Sequence, residues 1–315
     1  MLASKTYRRS TYVLLVAVTA LLLFIGRYSY QNSGICTLGP GPDKSLKVEL
    51  PLSSRPFPSK IWQSWKDDSD DPTNRTAGFP HQWSVVNPSW RYERITDANI
   101  DDYVRDRFFN TTVAAVFTTL SDSILKADFL RYLILLREGG IWADIDVYPH
   151  QPVAKWIPEE YRGSVNLVVG IENDHHQEPI WPGSPYSVQL CQYTVLAKPG
   201  HPALEILVDQ VTGDLQRLMR ATLPGEAVTF EEVMGTTGPF AFTKVLMDYF
   251  TNATGVEHNG NELDNLQEPK LIGDVLVLPK DSFGWLPHEN THEKGDEAIL
   301  VEHLFIGSWR DGHPG

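Results

Sequence analysis

Two aspartates, Asp144 and Asp146, close the run Gly139-Gly140-Ile141-Trp142-Ala143-Asp144-Ile145-Asp146, which reads as a helix stop followed by an apolar strand. Side chains at i and i+2 of a strand point to the same side, so both carboxylates can converge on one ion. Carboxylate oxygens suit hard divalent cations, and a site with few protein ligands leaves positions for phosphate oxygens and water. A bare D-x-D pair occurs by chance in many acidic chains. Here, however, two like charges end an apolar strand, and they repel unless a cation offsets them. That context points to metal and nucleotide binding.

Upstream, Asp128 and Arg131 stand at i and i+3 of a predicted helix, as neighbours on one face. The spacing reads either as an ordinary surface ion pair or as a substrate clamp. In the second case Arg131 faces a phosphate or sugar and Asp128 accepts sugar hydroxyls, because a guanidinium fork matches oxyanions and a carboxylate matches vicinal hydroxyls. Trp62 and Trp65 are either core or a platform for a nucleotide base. His175 and His176 are adjacent in a loop, an arrangement that rarely chelates one ion and fits acceptor-side contacts better.

These groups need elements to hold them. Residues 60–65 and 90–95 read as strands, and Thr96 followed by Asp97 as the N-cap of a helix running to about Phe109. Ile124, Leu125, Phe129, Leu133 and Leu136 repeat with a period near 3.6, which predicts a helix over 123–138 that stops at Gly139-Gly140. Residues 141–147 follow as a strand ended by Pro149, and 165–171 and 191–197 read as buried strands. Helices are expected over 202–220 and 240–250, and late strands over 275–278 and 299–306. Such alternation favours an α/β sheet with helices on both faces.

Composition bounds the rest. The chain of 315 residues carries 27 Lys+Arg against 40 Asp+Glu, and 27 − 40 gives −13, a balance that argues against a nucleic-acid partner held by phosphate contacts. Two cysteines, Cys36 and Cys191, exclude a disulfide framework and a cysteine-rich zinc site. Residues 11–26 are uncharged and mostly Val, Leu, Ala, Ile and Phe, with Lys5, Arg8 and Arg9 before them and Arg27 after. We read a cytosolic tail over 1–10 and an uncleaved signal-anchor over 11–28, with a cleaved signal peptide as the alternative. A Pro- and Gly-rich stem follows over 29–57, and a lumenal globular domain over 58–315. Sequons at Asn74, Asn110 and Asn252 agree with a lumenal body.

Three blocks in order, Pro58-Ser59-Lys60-Ile61-Trp62-Gln63-Ser64-Trp65, Leu125-Lys126-Ala127-Asp128-Phe129-Leu130-Arg131-Tyr132 and the Gly139 to Asp146 run, resemble glycosyltransferase family 32. Within that family the likeness is to the fungal initiation-specific α-1,6-mannosyltransferases of the Golgi. Gly235-Thr236-Thr237-Gly238-Pro239 resembles the family's G-x-x-G-P turn, and His303 through Ser308-Trp309 its closing element. The resemblance implies a nucleotide-sugar-binding fold of the GT-A type with a mixed, mostly parallel sheet, a divalent cation (usually manganese) and retention at the sugar. Carried over, Asp144 contacts the ribose or the metal, and Asp146 ligates the metal. Asp128 and Arg131 hold the donor sugar, Trp62 lies near the base, Ser308 and Trp309 close over the diphosphate, and His303 is a further metal or phosphate contact. The implied activity is transfer of mannose from GDP-mannose to an N-glycan of glycoproteins, by a single-pass type II Golgi protein that can work within a mannosyltransferase complex. The alternatives are a relative using another nucleotide sugar or a sphingolipid acceptor, and a non-catalytic sugar-binding subunit.

Overall fold

A computed structural model describes residues 51–69, 76–175, 184, 186–223, 225–285 and 296–314, all within one compact unit, Leu50–Gly315. The expected cytosolic tail, signal-anchor, nearly all of the stem, Cys36, Asn74 and His176 lie outside the described residues. Among the described residues no helix is long and apolar enough to cross a membrane.

The aromatic and β-branched run forms β1 (Lys60–Trp65), which pairs in parallel with β2 (Arg91–Thr96) from Lys60 opposite Arg91 to Trp65 opposite Thr96. Between them lies α1 (Phe79–Val86), which sequence periodicity did not suggest. Thr96 ends β2 instead of capping a helix: its amide donates to the Asn99 side chain at 2.9 Å, and α2 (Ile100–Arg107) begins four residues later than Thr96. A short α3 (Thr112–Thr119), with Thr111 accepting from the Ala114 amide, leads into α4 (Ser123–Arg137). Asp122 caps α4 by accepting from the amides of Ile124 and Leu125.

Gly139 and Gly140, with φ of 63° and 90°, turn the chain from α4 into β3 (Gly140–Ala143). A Cβ on Gly140 would lie 2.5 Å from the Lys60 carbonyl oxygen, so only glycine lets β3 start flush against β1. Glu138, beside that turn, pairs with Lys60 and Arg107, each at 2.9 Å, and ties the helix end to the sheet.

Downstream come β4 (Val147–Pro149), β5 (Leu167–Asp174), β6 (Val188–Leu190) and β7 (Thr194–Ala197), followed by α5 (Pro202–Ala221), α6 (Phe230–Thr236) and α7 (Pro239–Thr254). The last elements are β8 (Lys270–Ile272), β9 (Val275–Leu278), α8 (Lys280–Phe283) and β10 (Val301–His303). The main sheet runs β2-β1-β3-β7-β5-β9-β8, with β6 paired to β5. Along this path β2, β1, β3, β5 and β9 share one direction and β7 and β8 oppose them, so the sheet is mixed and mostly parallel. Separately, β4 and β10 form a two-stranded antiparallel ribbon.

Both sheet faces are covered, as the alternating pattern predicts. Leu125, Phe129 and Leu133 of α4 pack with Val211 of α5 and Phe242 of α7 on one face, while Trp83, Trp156 and Phe283 cover the other. The chain runs outward from β1 to β2 and then returns past β1 to β3. The gap between β1 and β3 is therefore a topological switch point, and the carboxyl ends of such strands open a crevice for ligands.

Candidate active site

The strand carrying the two aspartates is shorter than expected and does not reach them. Ala143 is the last residue of β3, hemmed between β1 and β7, where a carboxylate would have no water. The chain leaves the sheet at Asp144, whose amide still donates to the Tyr193 carbonyl at 2.9 Å. A turn closed by the Val147 amide on the Asp144 carbonyl, at 3.0 Å, then passes Asp146 into β4. The carboxylates thus meet across a turn at the sheet's edge, and strand alternation is not what aligns them.

Asp144 is clamped. Both its oxygens accept from one Arg131 nitrogen, at 2.7 and 2.9 Å, and Oδ1 also accepts from the Trp142 indole N–H at 2.7 Å. Its carbonyl accepts from Gln63 at 2.9 Å, and Gln63 in turn accepts from the Tyr92 hydroxyl at 2.9 Å. Behind it, Arg131 donates to Asp128 at 2.8 Å, and Thr237 donates to the other Asp128 oxygen at 3.1 Å. Burial pushes the Asp128 carboxyl up to about 6, with the Arg131 charge working against that rise. The Arg131 guanidinium resists the same burial because Asp144 and Asp128 hold it charged.

Asp146 faces the ribbon. Its Oδ1 lies 3.1 Å from His303 Nε2, its Oδ2 accepts from the Ile306 amide at 3.0 Å, and its carbonyl accepts from the Leu304 amide at 3.0 Å. Burial alone would raise its carboxyl, but the hydrogen bond and charge of His303 and the Ile306 amide outweigh burial and hold it below the usual carboxylate range. His303 packs in the corner formed by the rings of Tyr193 and Phe305, each centroid 4.0 Å away. Its Nδ1 is buried without a hydrogen-bond partner among the described residues. Asp144, Asp146 and His303 offer ligand atoms all within 4.8 Å of one another, the arrangement a single cation needs.

The other residues singled out in the sequence are placed as follows. Asp128 and Arg131, 1% and 2% exposed, lie inside the fold, so neither is an ordinary surface ion pair. Trp62, 5% exposed, donates its indole N–H to the Gly139 carbonyl at 3.0 Å and packs in the core. Trp65, half-buried at the end of β1, is the tryptophan at the sheet's carboxyl edge. Ser308 is exposed, and Trp309 stacks on Phe230 of α6 with ring centroids 5.7 Å apart. His175 is exposed and stands outside the metal-capable group. Cys191 is fully buried, and burial pushes its thiol well up.

Sequence reasoning missed Gln63, Trp142, Gln192, Tyr193 and Thr237, which hold the first set in place. Three of them sat inside quoted blocks: Gln63 in the first strand, Trp142 two residues before Asp144, and Thr237 in the Gly235 to Pro239 turn. The period-2 rule applied to Trp142 and Asp144 puts both on one face of the sheet, without saying which.

Residues 73–162 match the family described as glycosyltransferase sugar-binding region containing DXD motif. Among solved structures, the chain is similar to the PaToxG glycosyltransferase, with a TM-score of 0.44 and 16% identity over 65% of this chain and 75% of that one. It is 32% identical to an initiation-specific α-1,6-mannosyltransferase of Candida albicans, over 86% of this chain and 78% of that protein. It is 35% identical to the Schizosaccharomyces pombe protein of the same name, over 86% of this chain and 68% of that one. With a pair of aspartates brought to one cation-sized space at the sheet's edge, the chain is a glycosyltransferase, and it belongs to the family of the fungal initiation-specific α-1,6-mannosyltransferases.

Proposed function

We propose that this chain transfers mannose from GDP-mannose to a mannose of an N-glycan, with retention at the anomeric carbon, as a GT-A type, single-pass type II Golgi protein anchored through residues 11–28. The supporting observation is the convergence of Asp144, Asp146 and His303 within 4.8 Å at the crevice between β1 and β3. The names of the relatives support mannose as the sugar and weigh against a sphingolipid acceptor or a non-catalytic binding role.

Two carboxylates and an imidazole fit manganese or a similar divalent ion, whose ligand preferences span oxygen and nitrogen donors. The buried, unpartnered His303 Nδ1 beside this set agrees with a site built around a ligand. Bound there, the cation supplies Lewis-acid stabilisation of charge on the departing diphosphate.

The chain's own residues do the positioning. Arg131 and Trp142 fix the Asp144 carboxylate in one orientation, and the Ile306 amide fixes Asp146. Asp128 is buried and accepts from Arg131 and Thr237, which supports a role that acts on the donor through Arg131 and Asp144. Trp65, at the strand end, is the tryptophan we place near the base. Ser308 and Trp309 follow the segment wrapped round Asp146, and we assign them the role of covering the diphosphate.

Calorimetric titration of the full-length chain with GDP and UDP, each with and without manganese, tests this reading. We expect manganese-dependent binding with GDP preferred. In Asp146→Ala, loss of one of three ligands should weaken manganese binding at least about 100-fold and transfer by about 10²–10³. Unchanged transfer in that variant would remove the metal assignment, and preference for UDP would remove GDP-mannose as the donor.

A further inference from the structure

The metal-capable group accounts for the carboxylates that follow β3. Another carboxylate, Glu172, stands at the carboxyl end of β5, on the ribbon side of the sheet. Across β5 and β6, Ile171 is opposite Leu190 and Asn173 is opposite Gln189, so Glu172 is the extra residue of a β-bulge. Bulges turn a side chain out of the regular alternation and are frequent beside active sites.

What surrounds Glu172 is built, not incidental. Gln189 Nε2 donates to its Oε2 at 2.8 Å, and Gln189, 3% exposed, keeps an amide oxygen with no hydrogen-bond partner among the described residues. Gly284 is pressed on the bulge so closely that a Cβ there would lie 2.5 and 2.6 Å from the carbonyl oxygens of Glu172 and Ile171. Trp285, half-buried, follows Gly284 in the chain, and its ring lies 6.4 Å from that of His150. Burial raises the Glu172 carboxyl, with the Gln189 hydrogen bond working against that rise. Gly284 follows Phe283, whose carbonyl accepts from the Tyr193 hydroxyl at 2.8 Å, and the Tyr193 ring packs on His303 with centroids 4.0 Å apart, so the bulge stands beside the metal-capable group without joining it.

The sign of its charge selects the partner. A carboxylate beside the metal centre repels the diphosphate of a nucleotide sugar and competes poorly for any place against it. A neutral sugar has hydroxyl donors that a carboxylate accepts strongly. Resting on the transferase reading above, we propose that Glu172, oriented by Gln189, is the acceptor-sugar subsite, taking a neutral hexose through its hydroxyls. Glu172 binds and orients the acceptor there and takes no proton. Gln189 is a positioning residue that acts through Glu172.

The test uses the full-length chain with manganese, GDP-mannose as donor for transfer, GDP for nucleotide affinity, and a fluorescent mannose oligosaccharide as acceptor probe. Glu172→Gln keeps the shape but removes the charge. We expect it to raise the acceptor KM at least about 10-fold, the scale of a lost hydrogen bond to a charged group, while GDP affinity and the donor KM stay within twofold. Gln189→Leu should raise the acceptor KM less, with the donor KM again unmoved. Thermal unfolding of each variant checks folding. An unchanged acceptor KM in Glu172→Gln, or a loss falling on GDP binding instead, overturns the subsite. A wild-type chain that binds GDP with manganese but neither binds nor extends the oligosaccharide also overturns it, and leaves the donor reading standing. Failure of the wild-type chain to bind any nucleotide is the separate signature that the transferase reading has failed.

Discussion

Arg131 is the residue on which the charges of the site depend. It is buried between Asp128 and Asp144, and its fork spans both. Replacing it with alanine leaves two carboxylates without their cation, one of them fully buried, and removing one partner of a buried pair costs about 3–5 kcal/mol. Arg131→Lys is the sharper experiment, because lysine keeps the charge but cannot bridge two carboxylates with a planar fork. We expect a folded protein whose manganese affinity falls about 10–100-fold, the usual effect of losing a group that orients a ligand. Titration of manganese followed by electron paramagnetic resonance reads this directly, and an unchanged affinity would remove Arg131 from the support of Asp144. The pairing of Asp128 with Arg131 was legible from i, i+3 spacing. Its burial was not, since spacing reports which residues are neighbours on a helix and not which way that face looks. Asp144 and Asp146 were legible as a pair for a reason that turned out local: a turn brings them together, so the residue types carried the signal and the strand geometry did not.

At the scale of elements, the readable parts were those with a long, clean period. The helix over 123–138 was found to within a residue because five apolar positions repeat along it and Gly139 follows. By contrast, α1, α3 and α6 each have eight residues or fewer and owe their form to packing, which leaves no period to read. The late strand over 299–306 shrank to Val301–His303 because the chain beyond it turns to deliver the Leu304 and Ile306 amides to Asp146. Gly140 marks where element geometry is least tolerant. At φ 90° with the Lys60 carbonyl 2.5 Å from the site of a Cβ, alanine is excluded twice, by the backbone and by space. Gly140→Ala should therefore lower stability by at least about 2 kcal/mol. Urea unfolding followed by tryptophan fluorescence measures it, and a loss under about 0.5 kcal/mol, the range of an ordinary surface substitution, would mean that β3 does not start where it is placed.

Across the whole molecule, one segment joins regions that are far apart in sequence, and nothing in the pattern of residues foretold it. After wrapping Asp146, the chain from Gly307 on lays Trp309 against Phe230, and the Phe230 amide donates to the Pro314 carbonyl at 3.0 Å. His313 completes the path, with Nε2 2.8 Å from Asp122, the cap of the helix that carries Arg131, and Nδ1 2.8 Å from the Trp309 carbonyl. One segment thus touches the metal-capable group, α6 and the start of α4. Burial works against the His313 charge, but the Trp309 carbonyl and Asp122 prevail and raise it above the usual histidine value. A histidine raised in the folded state stabilises fully below its unfolded value, about 6.5, and loses that contribution as pH climbs through the raised folded value. Docking of residues 307–314 should accordingly be firm at pH 6 and loosen between about pH 6.5 and 8, by roughly 1 kcal/mol for a single half-buried pair. Hydrogen exchange of this segment, corrected for the intrinsic pH dependence of exchange, should show protection falling about fivefold across that window. His313→Gln should flatten the profile at the high-pH level, and Asp122→Asn should do the same while also loosening the first turn of α4 through its weakened cap. Protection in the wild-type chain that is constant from pH 6 to 8 would show that the segment is held by Trp309 and Phe230 alone.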